Sequence, residues 1–216
     1  MRLRLIFLAT VSATAIAGPA GAEPFVPADN QLVFDVIRNG KPIGDQRLIF
    51  QRDGARLLVR NTIKIVVRFV IIPVYRYEES TRTVWLGERL ENHSAEVDDN
   101  GSVVRLSITD GPDGLLVDGP EGRAALPRGL KVGGFWKRDL VNENALIDST
   151  EGTLNLYSVA PRVRKTIEIG GRWIAAWRYT FRGDVEAAVW YYDSGRLLRI
   201  KRVVRDGSTV LTDLRL

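Results

Sequence analysis

Arg56–Val70, which reads Arg-Leu-Leu-Val-Arg-Asn-Thr-Ile-Lys-Ile-Val-Val-Arg-Phe-Val, decides the fold class. Leu57, Val59, Ile63, Ile65, Val67 and Phe69 fall on one side of an extended chain. Arg60, Thr62, Lys64 and Arg68 fall on the other. Successive side chains of a strand point to opposite faces. A period of two with one greasy and one wet face is the mark of an antiparallel strand lying on a core.

The same pattern extends in both directions. Upstream, Asp53-Gly54 turns the chain into Ile43–Gln51, and Asn39-Gly40 joins that segment to Leu32–Arg38. Asn-Gly between alternating apolar segments is the strongest short hairpin signal. Downstream, Pro73 breaks or edges a segment, and Val74–Trp85, Arg89–Val97 and Ser102–Ile108 read as strands between Asp/Asn/Gly turns. Gly119–Gly134 reads as a loop, and Phe135–Leu146 is the one window with helical character. Beyond it come Thr153–Val159 and Arg162–Ile169, flanking Ala160-Pro161. Arg172–Arg182, Val185–Tyr192, Arg196–Arg205 and Ser208–Leu216 complete the series. About a dozen strands at this spacing predict an antiparallel sandwich or barrel. Strands and helices do not alternate, which disfavours a parallel α/β fold. The expected fold is all-β: a single antiparallel, strongly curved sheet forming a half-barrel or closed barrel, with at most one short helix.

The first 22 residues have a different character. Arg2 and Arg4 precede an apolar run from Leu5 to Ala17, and Ala20-Gly21-Ala22 has the small-x-small form cut by signal peptidase. The run is shorter than the roughly 20 apolar residues a bilayer span needs. These features predict export to the periplasm, cleavage after Ala22, no transmembrane anchor, and a single domain over residues 23–216. A domain of that size buries roughly 70% of its unfolded surface, so it needs no staples. None is available, because the chain has no cysteine. A lipoprotein anchor, which requires a cysteine at the mature terminus, is excluded with it. Removing Arg2 and Arg4 from the 31 basic residues leaves 29 against 26 acidic ones, a net +3. The basic residues are scattered and form no run, so a nucleic-acid partner is not expected.

Two stretches carry a resemblance. One is Val36-Ile37-Arg38-Asn39-Gly40-Lys41-Pro42-Ile43-Gly44, followed by Ile72-Pro73-Val74-Tyr75-Arg76-Tyr77-Glu78. The other is Trp190-Tyr191-Tyr192-Asp193-Ser194-Gly195-Arg196-Leu197. Over nearly the whole mature length the chain resembles an uncharacterised family of exported bacterial all-β proteins of unknown function. The Trp-Tyr-Tyr-Asp hairpin is also similar to one in periplasmic half-barrels of the lipoprotein-carrier type. The resemblance implies a periplasmic all-β domain and no particular activity. The carrier likeness implies a curved sheet with an apolar concave face, an analogy of fold alone.

No catalytic residue, metal site or cofactor is expected. His93 is the only histidine, too few for the usual zinc sites. Gly-x-Ser-x-Gly is missing, and Ser94 points away from His93 on a strand. His93 therefore reads as a solvent-facing or edge residue. Asp98, Asp99 and Asn100, like Asp110 and Asp113, coincide with glycine turns rather than with the alternating ligands of a calcium loop. Glu78 and Glu79 are neighbours on a strand and cannot converge on one substrate.

The aromatic stripe Trp173, Trp177, Tyr179, Phe181 stands out, with Arg178, Arg182, Arg199 and Lys201 on the opposite side as solvated charges. Core packing is the default reading of such a stripe. With Trp136 it also forms the candidate ligand-binding face. The leading expectation is a non-catalytic periplasmic protein holding a lipid, acyl chain or other amphiphile against a concave aromatic face. The alternatives are an envelope interaction module that uses a strand edge, and an unrecognised hydrolase. A binder requires an unfilled apolar cavity of a few hundred cubic ångströms.

Overall fold

The structure is a computed structural model and describes residues 26–204 and 206–216, leaving aside the side chains of Phe69 and Ile72. The proposed leader, Met1–Ala22, lies outside the described residues. Among the described residues, fourteen strands form one antiparallel sheet in the order β8-β7-β6-β5-β4-β3-β2-β1-β14-β13-β12-β11-β10-β9. The first group is β1 (Gln31–Arg38), β2 (Lys41–Asp53), β3 (Arg56–Phe69), β4 (Ile72–Leu86), β5 (Arg89–Asp99), β6 (Ser102–Asp110), β7 (Leu115–Gly119) and β8 (Gly122–Leu126). The second is β9 (Ala145–Ile147), β10 (Leu154–Ile169), β11 (Arg172–Gly183), β12 (Ala187–Tyr191), β13 (Leu197–Val203) and β14 (Thr209–Leu214). Each group is a meander. The two join where β14 pairs with β1, setting Phe34 opposite Leu214 and Val36 opposite Thr212. The end strands β8 and β9 do not pair, so the sheet is open and barrel-like.

The periodicity of β3 sets the inside of the curve. Leu57 and Val59 are buried, and Arg60, Thr62, Lys64 and Arg68 are exposed. Direct cross-strand pairing puts Gln46, Ile63 and Glu79 side by side on the concave face. Leu48, Asn61 and Thr81 form the next row, and Phe50, Val59 and Thr83 the next.

Residues 127–144 connect one edge of the sheet to the other and so must cross the concavity. Their apolar side chains fix where they sit. The Trp136 ring packs edge-on against Phe50 of β2 at 5.3 Å, and Phe135 against Phe181 of β11 at 5.0 Å. The Tyr157 hydroxyl donates to the Leu140 carbonyl (2.8 Å), and that of Tyr191 donates to the Phe135 carbonyl (2.7 Å). Lys137 is buried under the Trp85 ring, 4.0 Å from its centre, and its ammonium reaches Glu88 at 3.0 Å. The crossover closes one end of the half-barrel and builds most of the aromatic core there.

Three local expectations are corrected. The first part of the Gly119–Gly134 loop is strand β8. Its Gly-Arg-Ala-Ala-Leu sequence has no apolar alternation, and backbone pairing with β7 holds it instead. The helical window Phe135–Leu146 contains one 3-10 turn, Arg138–Asn142, and then β9, because its large apolar residues are spent plugging the barrel. The break expected at Ala160-Pro161 is a register shift inside the continuous strand β10. On its other side β10 pairs with β9 only at Leu154–Leu156. Pro161 therefore removes no ladder bond from that edge.

Candidate functional site

Below the crossover the concave face is not filled. It encloses a half-open cavity of about 740 Å³. Aliphatic side chains form one part of its wall: Val36 from β1, Ile43 and Leu48 from β2, Val59, Ile63, Ile65 and Val67 from β3, and Leu197 and Ile200 from β13. Trp136, Phe135 and Leu146 form the floor. Burial falls off along each strand away from that floor. Leu48 and Val59 are fully buried, whereas Ile43, Ile65 and Val67 are half-buried. The mouth therefore lies at the end where the β1–β2, β3–β4 and β13–β14 turns meet, with Arg38, Tyr75, Arg202 and Val204 on its rim. A second hollow of about 720 Å³, between Pro27–Asp29 and the β12–β13 turn, is an open surface depression rather than an enclosure.

One side of the cavity is polar. Gln46 donates from Nε2 to Asn61 Oδ1 (2.7 Å), and Asn61 donates from Nδ2 to Glu79 Oε1 (3.1 Å). The Tyr77 hydroxyl donates to Glu79 Oε2 (2.8 Å). Burial raises the Glu79 pKa, opposed by the hydrogen bonds from Tyr77 and Asn61 and by the charge of Arg202. Burial and the carboxylate beside it also raise the Tyr77 hydroxyl. Tyr75, nearer the mouth, is pushed up to about 12 by burial and its bond to Asp99. The relay adds hydrogen-bonding groups to a chamber whose lining also includes the polar residues Thr81, Thr83, Asp148, Asn155 and Arg202.

His93 is not the solvent-facing or edge residue expected from its strand. It is 1% exposed. Its Nε2 lies 2.8 Å from the Ser149 carbonyl and Nδ1 lies 2.9 Å from the Thr83 hydroxyl. A carbonyl only accepts, so Nε2 carries the proton and Thr83 donates to Nδ1. Burial lowers the His93 pKa, against the pull of the Ser149 carbonyl and Asp148. The ring pins the loop after β9 to β4 and β5. Among the described residues no group of three or more metal-ligating side chains is gathered. Likewise, no described helix is long and apolar enough to cross a membrane.

The five aromatics proposed from sequence are dispersed. Trp136 lines the cavity floor. Tyr179 and Phe181 are buried in the core behind it, Tyr179 edge-on to Tyr191 and Phe181 against Phe135 and Tyr157. Trp177 lies under the guanidinium groups of Arg162 (4.2 Å) and Arg164 (5.0 Å), and donates from Nε1 to Asp193 at 2.7 Å. Trp173 is 72% exposed near the tip of the β10–β11 ribbon. The opposite-face charges also divide: Arg199 is paired with Asp213 at 2.5 Å and donates to the Glu168 carbonyl at 2.8 Å, while Arg182 and Lys201 are exposed. On the polar wall, Gln46 was not singled out from sequence, Tyr77 was quoted only within the family resemblance, and Glu79 was set aside as an ordinary strand charge, whereas the structure places it on the chamber lining. Asn61 carried a signal, since it interrupts the apolar parity of Leu57, Val59, Ile63 and Ile65. A buried polar residue is more informative than an exposed apolar one.

A family model described as "Domain of unknown function (DUF6134)" matches residues 34–215. Among solved structures, the chain is similar to a beta-barrel-like protein of domain of unknown function DUF1849 from Brucella abortus. The TM-score is 0.63 at 11% identity, covering 90% of this chain and 98% of that one. At that identity the likeness speaks for the fold. No curated protein matches the chain.

Proposed function

The chain belongs to the DUF6134 family of unknown function, and on that premise we propose that it is an exported, non-catalytic protein that holds an apolar or amphiphilic molecule in the chamber of its half-barrel. The observation that carries this reading is unfilled space on the buried face of a sheet. The volume, about 740 Å³, lies within the roughly 300–1,000 Å³ of ligand sites. An acyl chain laid against Val59, Ile63 and Ile65 gains about 0.8 kcal/mol per buried methylene, so six or seven methylenes give roughly 5 kcal/mol before ordering costs. The Gln46–Asn61–Glu79–Tyr77 relay suits a hydroxyl, amide or ester at one end of that chain. The leader at residues 1–22 supports delivery to the periplasm, where such molecules are within reach.

An interaction module that uses a strand edge is less well supported. The end strands β8 and β9 are only 5 and 3 residues long. The long free edge of β10 carries Pro161, Arg162, Arg164 and Lys165, the residue types that guard edges against pairing. Native mass spectrometry of protein purified from its own cell envelope separates the readings. A retained mass of acyl-chain size, displaced by the fluorescent fatty acid cis-parinaric acid, is the expected result. Protein that carries no small molecule and does not bind the probe overturns the proposal, and a stoichiometric second polypeptide favours the module.

A further inference from the structure

The β3–β4 hairpin outgrows the sheet. On one side β2 pairs with β3 only as far as Gly44 opposite Ile65, and on the other β5 pairs with β4 only as far as Asp99 opposite Tyr77. Residues 66–76 therefore stand out as a two-stranded ribbon. One further bond, from the Asn100 amide to the Arg76 carbonyl (2.8 Å), steadies its base. Such a ribbon has little stability of its own in water. Its sequence is Val-Val-Arg-Phe-Val-Ile-Ile-Pro-Val-Tyr-Arg, with two arginines and no acid.

The turn at its tip is unlike the others. Hairpins elsewhere in the chain place glycine at positive φ, as at Gly40, Gly54, Gly87, Gly101, Gly122, Gly171 and Gly207. Here Val70 takes φ 58°, and it and Ile71 are each 82% exposed. A β-branched residue at positive φ is a strained exception. Two aliphatic side chains held almost wholly in water gain nothing from the fold. Strain and exposure at one spot point to a function outside the folded chain.

We infer that this ribbon is a membrane-docking arm, which inserts Val70 and Ile71 into an anionic lipid surface and seats the chamber's mouth on it. Three observations select a lipid surface over a protein. The tip is convex and apolar, which suits insertion between headgroups. Its flanking charges are Arg68 and Arg76, with the exposed Lys64 behind them. The nearest acids lie at the arm's base, where Glu78 pairs with Arg76 (3.1 Å) and Asp98 accepts from the Gly101 amide (2.7 Å), so the outer part of the arm carries the charge of Arg68 alone. The arm is also continuous with the chamber, because Val67 and Tyr75 at its base line both. An amphiphile passing between bilayer and chamber would meet apolar surface along the way. The arm's purpose rests on the amphiphile reading; its docking does not.

Flotation with phosphatidylcholine vesicles, with and without phosphatidylglycerol, tests it. The protein floats with the phosphatidylglycerol vesicles. V70D/I71D lowers the partition coefficient by about a hundredfold, roughly one decade for each aliphatic side chain withdrawn. Both side chains are 82% exposed, so the variant keeps its melting temperature. R68A/R76A removes the preference for phosphatidylglycerol, about fivefold per charge. Protein that ignores both vesicles, or V70D/I71D that floats as well as the unaltered chain, overturns the inference. So does an arm that captures a polypeptide but no lipid. Parinaric acid titration of the same samples separates the two proposals. Flotation without probe binding sinks the chamber and keeps the arm, and probe binding without flotation does the reverse.

Discussion

Replacing Ile65 by tryptophan is the sharpest test of the chamber. Ile65 lies on the concave face between Gly44 and Tyr77, half-buried, with its side chain bounding the cavity. An indole there enters space that nothing occupies. It buries roughly 50–80 Å² more than isoleucine, worth about 1–2 kcal/mol. Fixing the larger side chain costs about 0.5–1 kcal/mol. The net effect on folding is between zero and about 1.5 kcal/mol of stabilisation. Ligand binding responds far more. The ring takes the room of about four methylenes, so an acyl chain loses about 3 kcal/mol of transfer, or more than a hundredfold in affinity. Urea unfolding and parinaric acid titration measure the two quantities on one preparation. Unchanged probe affinity with a correctly folded I65W refutes the assignment of the site. A loss of more than about 2 kcal/mol of stability refutes the space itself, because overpacking on that scale occurs only where a core is already full.

Two further perturbations test the frame around the chamber. H93A removes two buried hydrogen bonds and a ring's worth of packing, so it lowers the unfolding free energy by about 3 kcal/mol, read from the urea midpoint. Burial holds the folded His93 pKa below its ordinary value near 6.5. In acid the unfolded chain takes up the proton first, so this contribution is complete above about pH 6.5 and is lost as pH falls below it. A titration of stability from pH 8 to pH 5 (roughly the window the shift defines) should slope downward in the unaltered protein and lose that component in H93A. G44A meets the backbone directly, since a Cβ at this position would lie 2.0 Å from the Lys64 carbonyl oxygen. The β2–β3 ladder must part there, costing about 2–3 kcal/mol, and hydrogen exchange at the amides around Ile65 should speed up while that of β11–β13 holds.

What the sequence by itself determined follows from local rules. Parity along Arg56–Val70 separated an inner from an outer face, and Asn39-Gly40, Asp53-Gly54 and Asn100-Gly101 placed hairpins where the chain makes them. Strand parity and turn chemistry act over a few residues, and they were enough to specify an antiparallel, curved, all-β sheet. Strands without a pattern of their own, β8 and β9, were hidden because only pairing with a neighbour holds them. The concave site was hidden for a related reason. Parity says that Ile63 and Asn61 face inward, but not what they meet. That was decided by the crossover at residues 127–144, which carries Phe135 and Trp136 onto one end of the concavity and leaves the other end empty. It also drew Phe181 into the core against Phe135, while the loop after β9, through Ser149, turned a lone strand histidine into a buried pin. Whether an apolar face becomes core or chamber depends on whether another part of the chain reaches it, and that is a property of closure over long sequence distances.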